Sequence, residues 1–253
     1  MPNKGEKGED LAIGECFMNK NNIDWCVATF GEAGEEGIEV IDPKTNKPIA
    51  TKEDIQKASS LYKADIKLQL LKTGEYLAPS IKAINCAPPA VLNHTHRAAK
   101  AFQNELQVIL PYLDEVLSYY KERRMIGACN EDVKLLDLLK NFHGQHGQEV
   151  RDAWVKTLVY FSFEGTGSKC SRCPANSMMM WDGSDVSFID CRTQEQKENY
   201  IKDLLDQDLY KISLRNKAMP QTITETMLPW VYEDASEDVI KYKGALHIRL
   251  LKK

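Results

Sequence analysis

Residues 65–84 constrain the fold of this chain more than any other segment. DIKLQLL at 65–71 and LAPSIKAI at 77–84 are strand-like runs, and the Lys72-Thr73-Gly74-Glu75 segment between them has turn composition. The spacing predicts a β-hairpin. Strand side chains alternate between faces, so Ser80 and Lys82 are expected to point the same way, with Asp65 at the head of the first strand facing them.

The rest of the chain reads as a mixture of helices and strands. A helix is expected over 5–18, where Ala12, Ile13, Cys16 and Phe17 recur at helical spacing and Glu9 falls on the same inward stripe. IEVID at 38–42 reads as a strand, followed by a Pro-Lys-Thr-Asn turn and a short helix near 52–61. Between Arg97 and Arg124, Leu106, Ile109, Leu113, Val116 and Tyr120 mark a helix that Pro111 kinks or splits. Further helices fit 131–142 and 148–157. Short β-rich runs follow at 157–163, 186–190, 209–214, 221–226 and 245–251, interrupted by one helix for which Thr193 and Gln196 form a capping box. The expected fold is α/β of the α+β kind. A mixed sheet core flanked by helices spans 1–160, a β-rich part spans 161–253, and the boundary near 160 is soft.

With 253 residues, 43% hydrophobic and 28% charged, the chain is long enough for one large domain or two small ones sharing a core. No window approaches the roughly 20 apolar residues of a membrane span, and MPNKGEKGED is charged where a signal peptide turns apolar. A soluble cytoplasmic protein with no membrane partner is expected. The net charge of −4 argues against indiscriminate polyanion binding, yet the charge is unevenly spread. Acids cluster in GEKGED and GEAGEEGIEV, whereas residues 239–253 carry five Lys or Arg and no acid. An acidic part that holds metal and a basic part that holds phosphate is one reading of this asymmetry; solvated surface charge is the other.

The 65–84 segment carries the most specific chemistry. A carboxylate that holds a divalent cation, beside a lysine that steadies an activated water or developing charge, is what phosphodiester hydrolysis requires. Magnesium favours one or two carboxylates completed by water and substrate phosphate, so Asp65 with Glu9 provides enough protein oxygen. Ser80 is a third polar neighbour, while Glu75 in the turn lies too far away to replace it. The competing reading is an ordinary amphipathic hairpin with Lys82 snorkelling from the sheet.

Lys63-Ala64-Asp65, fourteen residues, and then Ser80-Ile81-Lys82 resembles the core motif of the PD-(D/E)xK nuclease superfamily, and of type II restriction endonucleases in particular. The motif covers about the first hundred residues, and GEKGEDLAIGE is similar to the family's first helix. The resemblance implies a restriction-endonuclease-like fold and Mg²⁺-dependent cleavage of double-stranded DNA at a short specific sequence. It assigns Asp65 and Glu9 to the metal and Lys82 to catalysis. Ala64 stands where the family has proline, and Ser80 where it has an acid. The second departure removes a negative charge from the metal shell.

Arg, Lys, Asn and Gln are the side chains that read base edges, which makes Arg215, Asn216, Lys217, Gln221, Lys241, Lys243 and Arg249 candidates for DNA contact in the β-rich part. His94, His96 and Arg97 are further candidates, as phosphate contacts or as helix-entry packing. Cys170-Ser-Arg-Cys173 followed by Cys191 suits three ligands of a structural zinc, completed by Cys129, His143 or His146; buried inert thiols are the alternative. The glycines around His143 and His146 argue for a loop, and Met178–Met180 beside Trp181 read as core. A restriction endonuclease acting as monomer or homodimer is the leading expectation. A structure-specific repair nuclease and a non-catalytic, zinc-stabilised DNA-binding module are the alternatives. No Gly-rich phosphate loop or nucleophile elbow points to a metabolic enzyme.

Overall fold

The apolar stripe near the N-terminus and the alternation in IEVID both become elements where they are expected: helix α1 spans Lys4–Asn19 and strand β1 spans Ile38–Asp42. The computed structural model describes residues 4–55, 61–85, 88–95, 107–125, 132–166, 169–217, 221–222, 231–234 and 239–251. It is a mixed α/β architecture with six α-helices among the described residues. None of those helices is long and apolar enough to cross a membrane. Two compact units form, Met1–Pro89 with Ser162–Lys197, and Ala90–Phe161 with Glu198–Lys253. One crossing falls at Phe161 and Ser162, beside the boundary expected near 160, and the others at Pro89 and Lys197.

In the first unit, α1 is followed by α2 (Ile23–Phe30), β1, β2 (Lys47–Pro48), β3 (Lys67–Leu70), β4 (Tyr76–Leu77) and β5 (Pro79–Ala83). One sheet has the order β2-β1-β3-β4. The expected hairpin is present but short, pairing Leu68 with Leu77 and Gln69 with Tyr76 around a turn in which Gly74 takes φ +71°. Beyond Ala78 the chain leaves this sheet, because Pro79 has no N–H to extend the ladder.

The second unit holds β6 (Ala90–Thr95), α3 (Leu110–Met125), β7 (Asp132–Lys134), α4 (Leu135–Leu139) and α5 (Gly144–Val159). The chain then returns to the first unit for β8 (Gly165–Thr166), β9 (Lys169–Cys170), β10 (Ser177–Trp181) and β11 (Val186–Asp190). Helix α6 (Gln194–Asp206) leads back to β12 (Tyr210–Lys217), β13 (Val231–Asp234) and β14 (Val239–Leu250). These last strands build a sheet of order β13-β14-β12-β7, with β6 also on β14.

Strand β10 is the element the sequence hides. It pairs parallel to β5, Met178 with Ser80 and Met180 with Lys82, and antiparallel to β11. Its SMMMW run lacks polar alternation because Met178, Met179 and Trp181 are all buried, which bears out the core reading while concealing the strand. Helix α1 lies over this sheet. Ile13 and Cys16 join Leu68, Ile81, Ala83 and Met179 in one buried cluster.

Several local expectations are corrected. The run 157–163 is not a strand: α5 continues to Val159 and passes into a π-helical turn at Tyr160–Glu164. Leu158, Val159, Phe161 and Phe163 are buried on every side, so the sequence carries no period to separate helix from strand. The helix expected over 131–142 begins as β7. His143 is the N-cap of α5 and His146 lies in its first turn, not in a loop. Near 52–61 only a 3-10 turn at Lys52–Asp54 is described. Pro111 sits in the first turn of α3, where its missing N–H costs nothing, and a 3-10 turn at Gln107–Ile109 precedes it. The Thr193–Gln196 capping box forms as expected, with Gln196 N donating to Thr193 Oγ1 at 3.1 Å and Thr193 N to Gln196 Oε1 at 2.9 Å. Residues 97–106 and 223–226 lie outside the described residues.

Gly8 sets the distance between α1 and β5, since a Cβ there would stand 2.5 Å from that of Ala83. Gly8→Val is expected to cost about 1–3 kcal/mol through overpacking, which outweighs its gain of a few tenths of a kcal/mol or so in helix propensity. Urea unfolding measures this, and an unchanged midpoint would refute the close packing.

Candidate active site

The site is built on the edge of β5 that faces away from β10. Asp65 lies two residues before β3, with its N–H donating to Pro79 O at 3.0 Å. Its carboxylate then takes the place of the next rung in the ladder, where Ile81 N–H donates to Asp65 Oδ2 at 2.6 Å. Asp65 is only 7% exposed, so this bond satisfies a buried amide and fixes a buried carboxylate together.

Alternation divides β5 into two halves. Ile81 and Ala83 point into the core beneath α1, whereas Ser80 and Lys82 project from the opposite face. Lys82 Nζ donates to Ser80 Oγ at 2.9 Å, which confirms their shared side, and to Ile81 O at 3.1 Å. In an extended strand, a residue's N–H and C=O point to the same edge. The Asp65 carboxylate and the Lys82 ammonium therefore both engage the Ile81 backbone on one edge of β5, one at its N–H and the other at its carbonyl.

Glu9 stands differently. It is half-buried and follows Gly8, the residue that packs α1 against Ala83, so its helix covers the face opposite to Ser80 and Lys82. Glu75 forms an ion pair with Arg192 at 3.0 Å, in keeping with its expected exclusion from the site.

The magnesium expectation can be set against the residues that Asp65 and Lys82 bring together. Asp65 supplies one anchored carboxylate, Ser80 supplies a neutral hydroxyl, and substrate phosphate and water would have to fill the remaining positions. The expected zinc ligands do not fit. Among the described residues, no three His, Cys, Asp or Glu side chains gather into a group able to hold a metal, and Cys170, Cys173 and Cys191 are free thiols. Burial raises the Cys173 thiol above its usual range and pushes Cys191 up to about 12, the latter helped by Asp190 and opposed by Lys197. His143 and His146 belong to the other unit, and Cys129 lies outside the described residues.

The DNA-contact candidates fall mainly on the sheet of the second unit. Arg215, Asn216 and Lys217 end β12, where the register with β14 shifts between Arg215 and Lys217. Lys241 and Lys243 lie in β14, and Arg249 pairs there with Lys211. Gln221 is exposed just beyond β12. His94 pairs with Leu246 within β6, which replaces the helix-entry reading, while His96 and Arg97 lie outside the described residues. The sheet also aligns Lys134, Lys211 and Arg249 in one cross-strand row, a grouping that only the register produces. Lys211 is tied to Asp132 at 2.6 Å and Lys134 to Asp208 at 3.2 Å, which offsets part of that positive charge.

Comparison with protein families, curated proteins and solved structures finds no match.

Thiol exposure gives a direct check on this geometry. Under native conditions a maleimide is expected to label the exposed Cys170 faster than the half-buried Cys173. Cys16 and Cys191, both fully buried and with pKa pushed up to about 12, should stay unmodified. Peptide mass mapping over time reads the order, and rapid labelling of Cys191 would contradict its burial.

Proposed function

We propose that this chain is a magnesium-dependent endonuclease of the PD-(D/E)xK type that hydrolyses phosphodiester bonds in double-stranded DNA at a short specific sequence. The observation that carries the reading is the convergence of Asp65 and Lys82 on the backbone of Ile81. The element order agrees with it: helix α1, strand β1, Asp65 ahead of β3, a tight turn, then β5 with Lys82 and later the long helix α3.

Each residue then has a separate task. Asp65, its second oxygen anchored by Ile81 N–H, presents a fixed carboxylate to a cation. Lys82 holds a positive charge beside the scissile phosphate, where it steadies the attacking water and the charge that develops on phosphate oxygen. Ser80 orients the lysine by accepting from Nζ. Magnesium, when bound, supplies Lewis acidity and lowers the pKa of its water. Glu9, whose helix covers the face of β5 opposite to Lys82, is assigned no metal role in this reading. The cationic row Lys134–Lys211–Arg249 and the β12 and β14 candidates supply phosphate and base contacts.

Ser80 also favours a second reading, a DNA-binding protein that does not cleave, because a hydroxyl replaces a metal-binding carboxylate. Digestion of unmethylated phage DNA with Mg²⁺ separates the two. Discrete fragments are expected from the wild type, with loss of roughly a hundredfold or more in Asp65→Asn and Lys82→Ala and a much smaller change in Glu9→Ala. Asp65→Asn is the informative substitution because its amide oxygen still accepts from Ile81 N–H. A smear would indicate a nuclease that does not read sequence. Intact DNA with retained binding would favour the non-cleaving protein.

Ser80→Asp tests the missing charge. It is expected to lower the Mg²⁺ concentration at half-maximal cleavage several-fold, since a second carboxylate joins the shell. A metal titration with no shift would place Ser80 outside the metal's reach.

A further inference from the structure

We propose that Ser171 is a positioning residue for the Asp65 carboxylate. Its consequence for DNA cleavage rests on the nuclease reading, whereas its effect on the carboxylate does not.

The backbone amides leading into Asp65 are all held from outside their own strand. Lys63 N donates to Ser171 Oγ at 2.7 Å and to Cys173 O at 3.1 Å, and Ala64 N donates to Cys173 O at 3.0 Å. Asp65 N then donates to Pro79 O on β5. Asp65 is thus suspended between the 171–173 turn and β5, and three of these four bonds come from that turn.

Ser171 is the hub of the turn. Its hydroxyl accepts from Cys173 N at 3.1 Å and donates to Cys173 O at 2.7 Å, so it sets the angle at which that carbonyl meets Lys63 and Ala64. Arg172 N adds a bond to Leu61 O at 2.9 Å. A serine that only closed its own turn would account for the Cys173 bonds. It would not account for the 2.7 Å bond from Lys63, which lies 108 residues away in sequence.

The same stretch also fixes the other half of the site. Asn176 Oδ1 accepts from Ala78 N at 2.6 Å, Asn176 Nδ2 donates to Tyr76 O at 3.1 Å, and Asn176 N donates to Ala78 O at 3.0 Å. Residues 171–176 therefore hold both the segment before Asp65 and the residue before β5. Loss of the Ser171 hydroxyl loosens only the Asp65 side, so the carboxylate drifts relative to Lys82 while β5 keeps its pairing with β10.

The Ile81 amide reports that drift, because its acceptor is the Asp65 carboxylate. We would compare wild type, Ser171→Ala and Ser171→Thr by amide hydrogen exchange at Ile81. Alongside would run single-turnover cleavage of duplex DNA with Mg²⁺, and duplex binding with Ca²⁺ in its place. In Ser171→Ala the Ile81 amide is expected to exchange roughly tenfold faster. Cleavage at saturating DNA should fall roughly ten- to a hundredfold with duplex affinity unchanged. Ser171→Thr, which keeps the hydroxyl, should restore both. Unchanged Ile81 exchange in Ser171→Ala overturns the proposal, as does an equal effect in Ser171→Thr or wild-type cleavage by Ser171→Ala despite faster exchange. If Ile81 exchange responds as expected and the wild-type protein cuts no DNA, the nuclease reading fails and the positioning of Asp65 by Ser171 stands.

Discussion

The bond from Ile81 N–H to the Asp65 carboxylate is the contact on which the site and its surroundings both depend. Strand β5 is paired with β10 along one edge, and along the other β3 turns to β4 and leaves Ile81 without a strand neighbour among the described residues. A buried amide without an acceptor costs about 1–3 kcal/mol. Asp65 closes that gap with a side chain where an ordinary sheet would use a carbonyl. The carboxylate proposed to bind metal is therefore also part of the sheet. Its position is set by the need to satisfy a backbone donor, and this makes it rigid before any ligand arrives.

The same strand shows how a period of two separates stability from chemistry. Ile81 and Ala83 are at most 2% exposed and face α1, where Gly8 lets the helix approach closely. Ser80 and Lys82 occupy the alternate positions and bond to each other. A shift of one residue in the β5–β10 register would exchange the two sets, burying the ammonium under α1. The cost of burying an unpaired charge makes that register self-correcting, so the apolar half of β5 holds the polar half in place.

Elements whose own residues carry the signal were legible in the sequence. The alternation of IEVID, the stripe of Ala12, Ile13 and Cys16, the Gly74 turn and the Thr193–Gln196 box all report local geometry, and all appear at the expected places. Legibility failed where burial is complete. The Met178–Trp181 strand and the helical turn through Phe161 and Phe163 are apolar on both sides, and neither period survives. It failed again where geometry comes from distant partners. Ser80 and Lys82 were readable as a same-face pair, but the Ile81 amide that joins Asp65 to them has no side-chain signature. The spacing of Cys170, Cys173 and Cys191 suggested zinc, yet that segment folds as a hydrogen-bonded turn against Lys63 and Ala64.

Serine at position 80 changes the electrostatic character of the site more than its shape. With an acid there, two carboxylates beside one lysine would leave a net negative charge ready for a divalent cation. With Ser80 there, one carboxylate and one ammonium engage the same stretch of β5, and on the proposed reading the Lys82 ammonium would disfavour a cation arriving alone. A bound phosphate diester would reverse that balance on the proposed reading, since it could pair with the lysine and contribute oxygen to the metal at once. On the proposed nuclease reading, metal and substrate would then bind with positive coupling, each raising the other's affinity by the same factor. On that reading, the missing carboxylate would make metal binding conditional on DNA, with no need for a second acid in the site.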